Sequence, residues 1–334
     1  MKIIIPMAGK GARLRPHTLT VPKPLVSVAG KPIVQRLVED LAKATNQKID
    51  EVAFITGYFG EKIEKDLIAI AESIGAKGTI HYQDVPLGIA HAILCAKEVL
   101  SGPCMIAFAD TLFRANFEFD EEEEGIIWVQ QVKDPSSFGV VVVNEEGIIS
   151  QFAEKSPVFI SDLAIVGIYY FKDGENLKQE LEFLIKNDIR YKGEFQLTSA
   201  LENMREKGFR FKTGSIDEWL DCGNKDAVVF SNQRVLENTK DENLLSDSAK
   251  LLNSVVIEPC YLGAGCIIQS SVIGPYVSIG DNSVIEHSVI SNSVIQNESS
   301  IINANLHNSM IGNYVDYQGR KSEISVGDFS KYTS

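Results

Sequence analysis

The most informative part of the chain is a glycine-rich stretch near its start, Met7-Ala8-Gly9-Lys10-Gly11-Ala12-Arg13-Leu14-Arg15-Pro16. It follows a short apolar segment, residues 2–6, which we interpret as a buried first strand. Glycine lets successive backbone N–H groups converge on an anion because it has no Cβ in the way. The stretch therefore predicts a phosphate-binding loop at the end of a strand, and hence a nucleotide site.

Two familiar phosphate-binding motifs do not match this stretch. A dinucleotide-binding fingerprint needs a third glycine where Leu14 stands. A P-loop needs glycine at the position of Leu25 and a serine or threonine at that of Pro32. What remains is Gly-x-Gly-x-Arg, with Lys23 ten residues after Arg13. Two cations beside a backbone nest suit a triphosphate, and the alternative is an ordinary glycine-rich turn with surface cations.

Composition narrows the class of protein and of partner. The 334 residues include 32 Lys and Arg against 45 Asp and Glu, a net charge of −13, which argues against nucleic-acid or membrane partners. No apolar run is long enough to span a membrane, and the chain opens on a strand, so we expect a cytoplasmic protein. The five cysteines lack metal-ligand spacing, and we expect them to be reduced.

Strands alternate with amphipathic helices in the first part of the chain. Apolar residues at helical spacing over 33–44 and apolar strands at 52–56 and 104–108 predict βαβ units. The predicted fold class is therefore α/β, with a mostly parallel, Rossmann-like sheet. Ligands bind at the carboxyl ends of such strands. The glycine loop, Gln83 and Asp110 all fall at such ends.

The last part of the chain is repetitive. Aliphatic residues recur every five or six positions from Ile257 to Ile311, with small or polar residues between them. Such a short-period repeat indicates a parallel β-helix, in which each coil stacks its aliphatic side chains on the next. The predicted organisation is an α/β domain at 1–240, a linker at 241–253, a short β-helix at 254–315 and a tail at 316–334.

Three segments together resemble one enzyme family. Residues 8–16, Pro22-Lys23-Pro24-Leu25 and Gly30-Lys31-Pro32-Ile33 are similar in order and spacing to the sugar-1-phosphate nucleotidylyltransferases, which join an NTP to a sugar 1-phosphate and release pyrophosphate. The repeat resembles the left-handed β-helix of longer members. Ala12 departs from the pattern, because relatives usually carry Thr or Ser there.

The resemblance implies roles for the residues at the nucleotide end. Arg13 would hold the β- and γ-phosphates, Lys23 would hold the α-phosphate under attack, and Ala8, Gly9 and Gly11 would form the cradle. Mg²⁺ would be the cofactor, since it needs one or two carboxylates beside the phosphates. Its expected ligands are Asp110 and Asp221, although Ala109 and Thr111 flank Asp110 where Gly and Asn are common.

The segment 83–92 resembles the part of the family that reads the base. The amide of Gln83 offers a donor and an acceptor that match the edge of uracil or thymine, and the backbone of Gly88 can complete the pairing. This predicts a pyrimidine triphosphate and leaves dTTP and UTP open, because a methyl group gives only about 1–3 kcal/mol of discrimination. We expect His91, like His17 and His81, to be structural.

Other segments match the part of the family that binds the sugar phosphate. Glu154 would accept hydrogen bonds from sugar hydroxyls, Lys155 would neutralise the phosphate, and Gly139 would allow close approach of the ring. Lys192 stands where relatives often have Arg. The positive charge is kept, but the guanidinium that could donate two parallel hydrogen bonds is not.

The resemblance as a whole implies transfer from dTTP to a hexose 1-phosphate, with glucose 1-phosphate the expected acceptor. A catalytically silent relative is the alternative from another class, and an acyltransferase site in the β-helix is a third, for which about three coils leave little room. We expect the β-helix to mediate contact between subunits of a homo-oligomer.

Overall fold

The structure is a computed structural model that describes residues 1–45, 47–115, 117, 120–320, 323, 325–329 and 331. Its contacts divide the chain into two units, Met1–Val26 with Lys31–Asn224, and Ser27–Gly30 with the residues from Lys225 onwards. The domain boundaries predicted from the sequence remain predictions. Part of the predicted tail, at 321, 322, 324, 330 and 332–334, lies outside the described residues.

The strands up to residue 224 are β1 (Lys2–Pro6), β2 (Ser27–Val28), β3 (Lys31–Pro32), β4 (Glu51–Thr56), β5 (Lys77–Tyr82), β6 (Cys104–Ala107), β7 (Thr111–Arg114), β8 (Gly125–Gln131), β9 (Gly139–Val143), β10 (Ile149–Glu154), β11 (Leu163–Phe171), β12 (Phe211–Ser215) and β13 (Glu218–Asp221). The helices are α1 (Ile33–Thr45), α2 (Glu61–Ser73), α3 (Ile89–Leu94), α4 (Gly174–Lys186), α5 (Leu197–Glu206) and α6 (Lys225–Asn238). Within the described ranges, no helix has the length and apolar character needed to cross a membrane.

The first unit is built on a sheet whose described strands follow the order β10-β9-β11-β6-β1-β4-β5, with β8 on β11 and β12 on β8. β6, β1, β4 and β5 are parallel, whereas β11 runs antiparallel to β6, and β9 pairs antiparallel with β10. Ile3, Ile4 and Ile5 of β1 are all fully buried, as expected of a central strand covered on both faces. The α/β architecture predicted from the sequence is confirmed.

The elements predicted at 2–6, 33–44, 52–56 and 104–108 lie within one residue of β1, α1, β4 and β6. The sequence also predicts a helix over 88–99, whereas α3 ends at Leu94, because Ala96, Lys97 and Val99 donate to carbonyls three residues back and continue as tight turns. β7 was not expected. It begins directly after Asp110 and pairs antiparallel with β13.

The second unit contains short parallel strands that repeat in three sheets. They are β14 (Lys250–Leu252), β15 (Val255–Val256), β16 (Cys260–Leu262), β17 (Ile267–Gln269), β18 (Val272–Ile273), β19 (Val277–Ile279), β20 (Val284–Glu286), β21 (Val289–Ser291), β22 (Ser293–Ile295), β23 (Ser300–Ile302), β24 (Asn305–His307), β25 (Met310–Ile311) and β26 (Asp316–Gln318). The predicted parallel β-helix is confirmed. α6 packs on β19 and β22 within this unit.

Two kinds of side chain explain why the repeat forms a β-helix. Ile268, Ile285 and Ile301 pair in register and are fully buried, so each coil covers the aliphatic side chain of the next. Corner serines satisfy backbone groups between coils: the N–H of Ser288 donates to Ser271 Oγ, and the N–H of Ala304 donates to Ser288 Oγ, both at 3.0 Å. The small polar residues of the repeat are therefore hydrogen-bond acceptors for the neighbouring coil.

Candidate active site

A cavity of ≈ 820 Å³ opens in the first unit, where β1, β5 and β6 end. Its lining includes most of the residues predicted for the nucleotide end: Ala8, Gly9, Gly11, Arg13, Lys23, Gln83, Gly88 and Asp110. These residues come from separate parts of the sequence and meet because the carboxyl ends of neighbouring parallel strands share one edge of the sheet.

Lys23 is a buried cation that faces the cavity. It opens a single turn of 3₁₀ helix, Lys23–Leu25, and only 9% of its side chain is exposed. Its Nζ donates to Asp110 Oδ2 at 2.6 Å. An ammonium group has three donor hydrogens, so this ion pair leaves Lys23 able to bind a second anion such as a phosphate.

Asp221 shares the electrostatic environment of Asp110. β7 and β13 bring them together, since Thr111 pairs with Asp221 and the N–H of Cys222 donates to the carbonyl of Asp110 at 2.9 Å. Burial raises the pKa of the Asp221 carboxyl, and the charge of Asp110 raises it further. Lys23 and Arg13 act in the opposite direction. Two neighbouring carboxylates that repel each other are a favourable site for a cation.

Gly223 is a lining residue to which the sequence interpretation gave no role. A Cβ at this position would lie 2.7 Å from Asp221 Oδ2 and 3.2 Å from Arg13 Nη2. Glycine is therefore required for the carboxylate and the guanidinium to approach this segment together. Its signal in the sequence is its place directly after Asp221-Cys222 in a segment that we had already matched to the family.

The Gln83 amide is held by its nitrogen. Nε2 donates to the carbonyl of Gly88 at 3.0 Å and contacts His91 Nδ1 at 3.1 Å. A backbone carbonyl can only accept, so the first contact fixes which end of the amide is nitrogen. Oε1 is thereby oriented as the acceptor of this side chain.

The segment around Gly88 is fixed by the backbone of Phe195. Phe195 donates its N–H to the carbonyl of Leu87 at 2.8 Å and accepts from the N–H of Ala90 at 3.0 Å. A Cβ on Gly88, whose φ is +110°, would lie 2.5 Å from the carbonyl oxygen of Phe195. The adjacent Glu194 also lines the cavity. The segment predicted to read the base is therefore joined to Phe195, which directly follows the segment 192–194 that was predicted for the sugar phosphate.

Three of the residues predicted for the sugar phosphate lie together. Lys155 pairs with Glu154 at 3.4 Å, and a Cβ on Gly139 would lie 3.1 Å from Glu154 Oε2. Thr198, which the sequence interpretation missed, donates its hydroxyl to Glu154 Oε2 at 2.9 Å. Glu154 is therefore held from two sides.

The fourth predicted residue, Lys192, lies near an aromatic ring, with its Nζ 5.1 Å from the ring centre of Tyr191. The described lining of the cavity includes none of Gly139, Glu154, Lys155 and Lys192. Their roles remain predictions.

Trp219 is a second residue that the sequence interpretation passed over. Its ring packs edge-on against Phe138 with centroids 5.0 Å apart. Its Nε1–H is buried and has no hydrogen-bond partner among the described residues. An unpaired buried donor beside Phe138 and Gly139 is a group that a ligand oxygen could satisfy.

A preformed cluster of three or more His, Cys, Asp or Glu residues suited to a metal was not found in the described part of the chain. The pair Asp110 and Asp221 is smaller than such a cluster. It suits a cation that shares its coordination with bound phosphates, as Mg²⁺ commonly does.

Comparison with known proteins agrees with these features. The family model described as nucleotidyl transferase matches residues 2–238. A low-salt glycan biosynthesis nucleotidyltransferase from Haloferax volcanii is 31% identical over 326 residues, covering 90% of this chain and 89% of that protein. A glucose-1-phosphate thymidylyltransferase from Streptomyces antibioticus is 30% identical over an alignment of 361 residues, covering 99% of both chains.

A solved structure of UDP-glucose pyrophosphorylase complexed with UDP-glucose shares the fold, with a TM-score of 0.58 at 23% identity, covering 71% of this chain and 98% of that one. The family model alone spans more than half of the chain and includes the glycine loop, Lys23, Asp110 and Asp221. The chain therefore belongs to the nucleotidyl transferase family, among the sugar-1-phosphate nucleotidyltransferases that its motifs resemble.

Proposed function

We propose that this chain transfers a thymidylyl group from dTTP to glucose 1-phosphate and releases pyrophosphate, with UTP as the alternative donor. The observation that carries the proposal is that Arg13, Lys23 and Asp110 line one cavity edged by a glycine loop, with Asp221 beside Asp110. The thymidylyltransferase from Streptomyces antibioticus, which aligns along nearly the whole chain, supports the choice of substrates.

The reaction asks little covalent chemistry of the protein. A phosphate oxygen of the sugar phosphate attacks the α-phosphorus, the bond from that phosphorus to the bridging oxygen of the β-phosphate breaks, and pyrophosphate leaves. Catalysis then consists of in-line positioning and of cations placed where charge accumulates. Lys23 stabilises charge on the α-phosphate, and Arg13 holds the phosphates that depart.

Asp110 and Asp221 fit a divalent cation, since burial and the charge of Asp110 raise the pKa of Asp221 and a cation would favour the ionised carboxylates. Bound Mg²⁺ would neutralise charge on the triphosphate and on these two carboxylates. The ion pair with Asp110 uses one of the three donor hydrogens of Lys23, so the ammonium can also donate to the α-phosphate.

The base is held at Gln83. Its Oε1 accepts from the N3–H that uracil and thymine both carry, and the backbone at Gly88 completes the contact. The sugar phosphate is held by Glu154, Lys155, Lys192 and the backbone at Gly139. Thr198 and the unpaired Nε1–H of Trp219 support this side of the site.

A matrix of NTPs against sugar 1-phosphates, with pyrophosphate release as the readout and Mg²⁺ present, tests the proposal. Release with dTTP or UTP and glucose 1-phosphate is expected, and no release from any pair would refute it. Asp110→Asn should abolish pyrophosphate release, while the variant should remain folded and still bind NTP. The matched control is Asp217→Asn, which changes an exposed aspartate four residues before Asp221. Loss of release in a folded Asp110→Asn would exclude the silent-relative alternative, whereas retained release would mean that Asp110 is not needed for the reaction.

We also propose that the β-helix mediates contact between subunits. Val255 and Val289 are more than half exposed, and both pair with Val272 in one sheet, so they form an apolar line along the outer face of the coils. Light scattering of the full chain with Val255→Lys and Val289→Lys together should show smaller particles than the unaltered protein. An unchanged oligomer would count against this interface.

A further inference from the structure

The Gln83 amide has no donor left to offer a ligand, so the donor that we expected it to present to the base is already used within the protein. Its nitrogen carries two hydrogens, and the structure places one acceptor for each: the carbonyl of Gly88 at 3.0 Å and His91 Nδ1 at 3.1 Å. Because Gln83 can only donate through this atom, His91 must accept through Nδ1. The ring is then neutral, with its hydrogen on Nε2.

His91 is well placed to hold this arrangement. It belongs to α3, which begins directly after Gly88, so the helix returns its side chain to a residue eight positions earlier. The backbone contacts of Phe195 with Leu87 and Ala90 fix the intervening segment. Burial also lowers the pKa of His91, which favours the neutral imidazole near pH 7.

We propose that His91 is a positioning residue that occupies the second amide hydrogen of Gln83, so that only Oε1 faces the base and the site selects bases that present an N–H there. This inference rests on the proposed function, in which an NTP base binds beside Gln83. Uracil and thymine carry N3–H and guanine carries N1–H. Cytosine presents a lone pair at N3 and adenine one at N1, and each would face the lone pairs of Oε1.

Two substitutions of His91 separate its hydrogen-bonding role from its packing role. In His91→Asn, the side-chain oxygen falls close to the position of Nδ1 and can accept the same hydrogen. In His91→Leu, the side chain keeps similar bulk at that position and accepts nothing, which frees the second amide hydrogen of Gln83. His91 itself is not among the residues that we assign to the phosphates.

Isothermal titration calorimetry of the full chain with dTTP, UTP, GTP and CTP measures selectivity without turnover, and pyrophosphate release is followed in parallel. We expect the unaltered protein and His91→Asn to discriminate against CTP by a similar factor. His91→Leu should narrow the dTTP-to-CTP ratio about tenfold, since one neutral hydrogen bond is gained by the wrong base and the repulsion is relieved. Melting temperatures of the variants check that all are folded.

Each other outcome has a defined meaning. An unchanged dTTP-to-CTP ratio in His91→Leu overturns the inference, and so does an equal loss of every nucleotide in both variants, because that would be a packing effect. Selective binding of dTTP without pyrophosphate release refutes the proposed function and still tests His91. A protein that binds no NTP overturns both.

Discussion

The residues proposed for the nucleotide (the nucleotide end) and those proposed for the sugar phosphate (the sugar end) lie in different parts of the same sheet. Those proposed for the nucleotide follow the parallel strands β1, β5 and β6, and they line one cavity. Gly139 and Glu154, proposed for the sugar phosphate, lie on β9 and β10, which form an antiparallel pair at the edge of the sheet beyond β11. One end is thus assembled at a shared edge of parallel strands, and the other by an antiparallel addition to the sheet.

The two ends also differ in their electrostatics. Around Lys23, two carboxylates and two cations cancel in formal charge, yet burial and the charge of Asp110 leave the pKa of Asp221 raised. Around Glu154, one carboxylate is matched by Lys155 and by the hydroxyl of Thr198. We therefore propose that the nucleotide end carries the chemistry and is stabilised by an added cation, whereas the sugar end provides recognition.

The largest effect should come from Lys23→Gln. Removing the buried cation should lower kcat about 10²–10³-fold, since an electrostatic contact to the transition state is lost, while KM for the sugar phosphate changes little. The control is Lys31→Gln, because Lys31 also pairs with a carboxylate, Glu39, at 2.7 Å but is 46% exposed. Steady-state kinetics of Lys23→Gln and Lys31→Gln give kcat and KM for comparison with the unaltered protein. A rise in sugar KM with kcat unchanged would reverse the roles assigned to the two ends.

Gly88→Ala should disturb both ends, because the added Cβ would collide with the backbone of Phe195, which joins them. We expect KM for both the NTP and the sugar phosphate to rise at least about tenfold, with a stability loss of about 1–3 kcal/mol. Gly60→Ala is the control, since Gly60 also has a positive φ, +91°, and no atom within 4 Å of its added Cβ. If KM rose for the NTP and not for the sugar phosphate, the contact through Phe195 would not couple the two ends.

The parts of this arrangement that could be predicted from the sequence are those set by strand order. The glycine loop, Gln83 and Asp110 each follow a predicted strand, and the carboxyl ends of parallel strands lie at one edge of a sheet whatever their side chains are. Placing Asp221 beside Asp110 required β7, a strand of four residues whose partner β13 lies about a hundred residues later. No local pattern specifies such a pairing.

The role of His91 was missed for a similar reason. The sequence interpretation treated it as structural, because a lone histidine on a short helix has no spacing that identifies a partner. Its contact with Gln83 depends on the turn between them, and that turn is fixed by the backbone of Phe195, a distant residue. A contact that depends on a third segment of the chain cannot be predicted from the two residues in contact and their sequence neighbours.

Gly9→Ala tests the nucleotide end alone. The new methyl group would meet no atom within 4 Å and would project where the phosphates approach the loop, since Gly9 lines the cavity. KM for the NTP should rise several-fold, about 1 kcal/mol in binding, with the sugar KM and the melting temperature unchanged. Gly57→Ala, whose Cβ would make an ordinary contact with Phe59, is the matched control. An unaffected NTP KM would place the phosphates away from this loop.

Thr198→Val tests the sugar end alone. It removes the hydroxyl that donates to Glu154 Oε2 and keeps the shape of the side chain. The sugar-phosphate KM should rise by roughly threefold to tenfold, because a hydrogen bond that orients the carboxylate contributes about 1 kcal/mol. The NTP KM should not change. Thr111→Val removes a buried hydroxyl bonded instead to the carbonyl of Val166, and it separates a specific effect from general loss of stability.

The smallest effect concerns stability and follows from the raised pKa of Asp221. A carboxyl whose folded pKa is raised makes the protein less stable as pH rises from its ordinary pKa, 3.8, towards the raised value, and the whole cost remains above it. Asp221→Asn should therefore melt close to the unaltered protein in acid and above it at pH 8. Thermal denaturation at both pH values, with Asp217→Asn as control, measures the difference in melting temperature between the variant and the unaltered protein.

Added Mg²⁺ should raise the melting temperature of the unaltered protein more than that of Asp221→Asn. A variant that melts lower at pH 8 would mean that Asp221 is already balanced by Lys23 and Arg13, and the nucleotide end would then resemble the sugar end in needing no added cation.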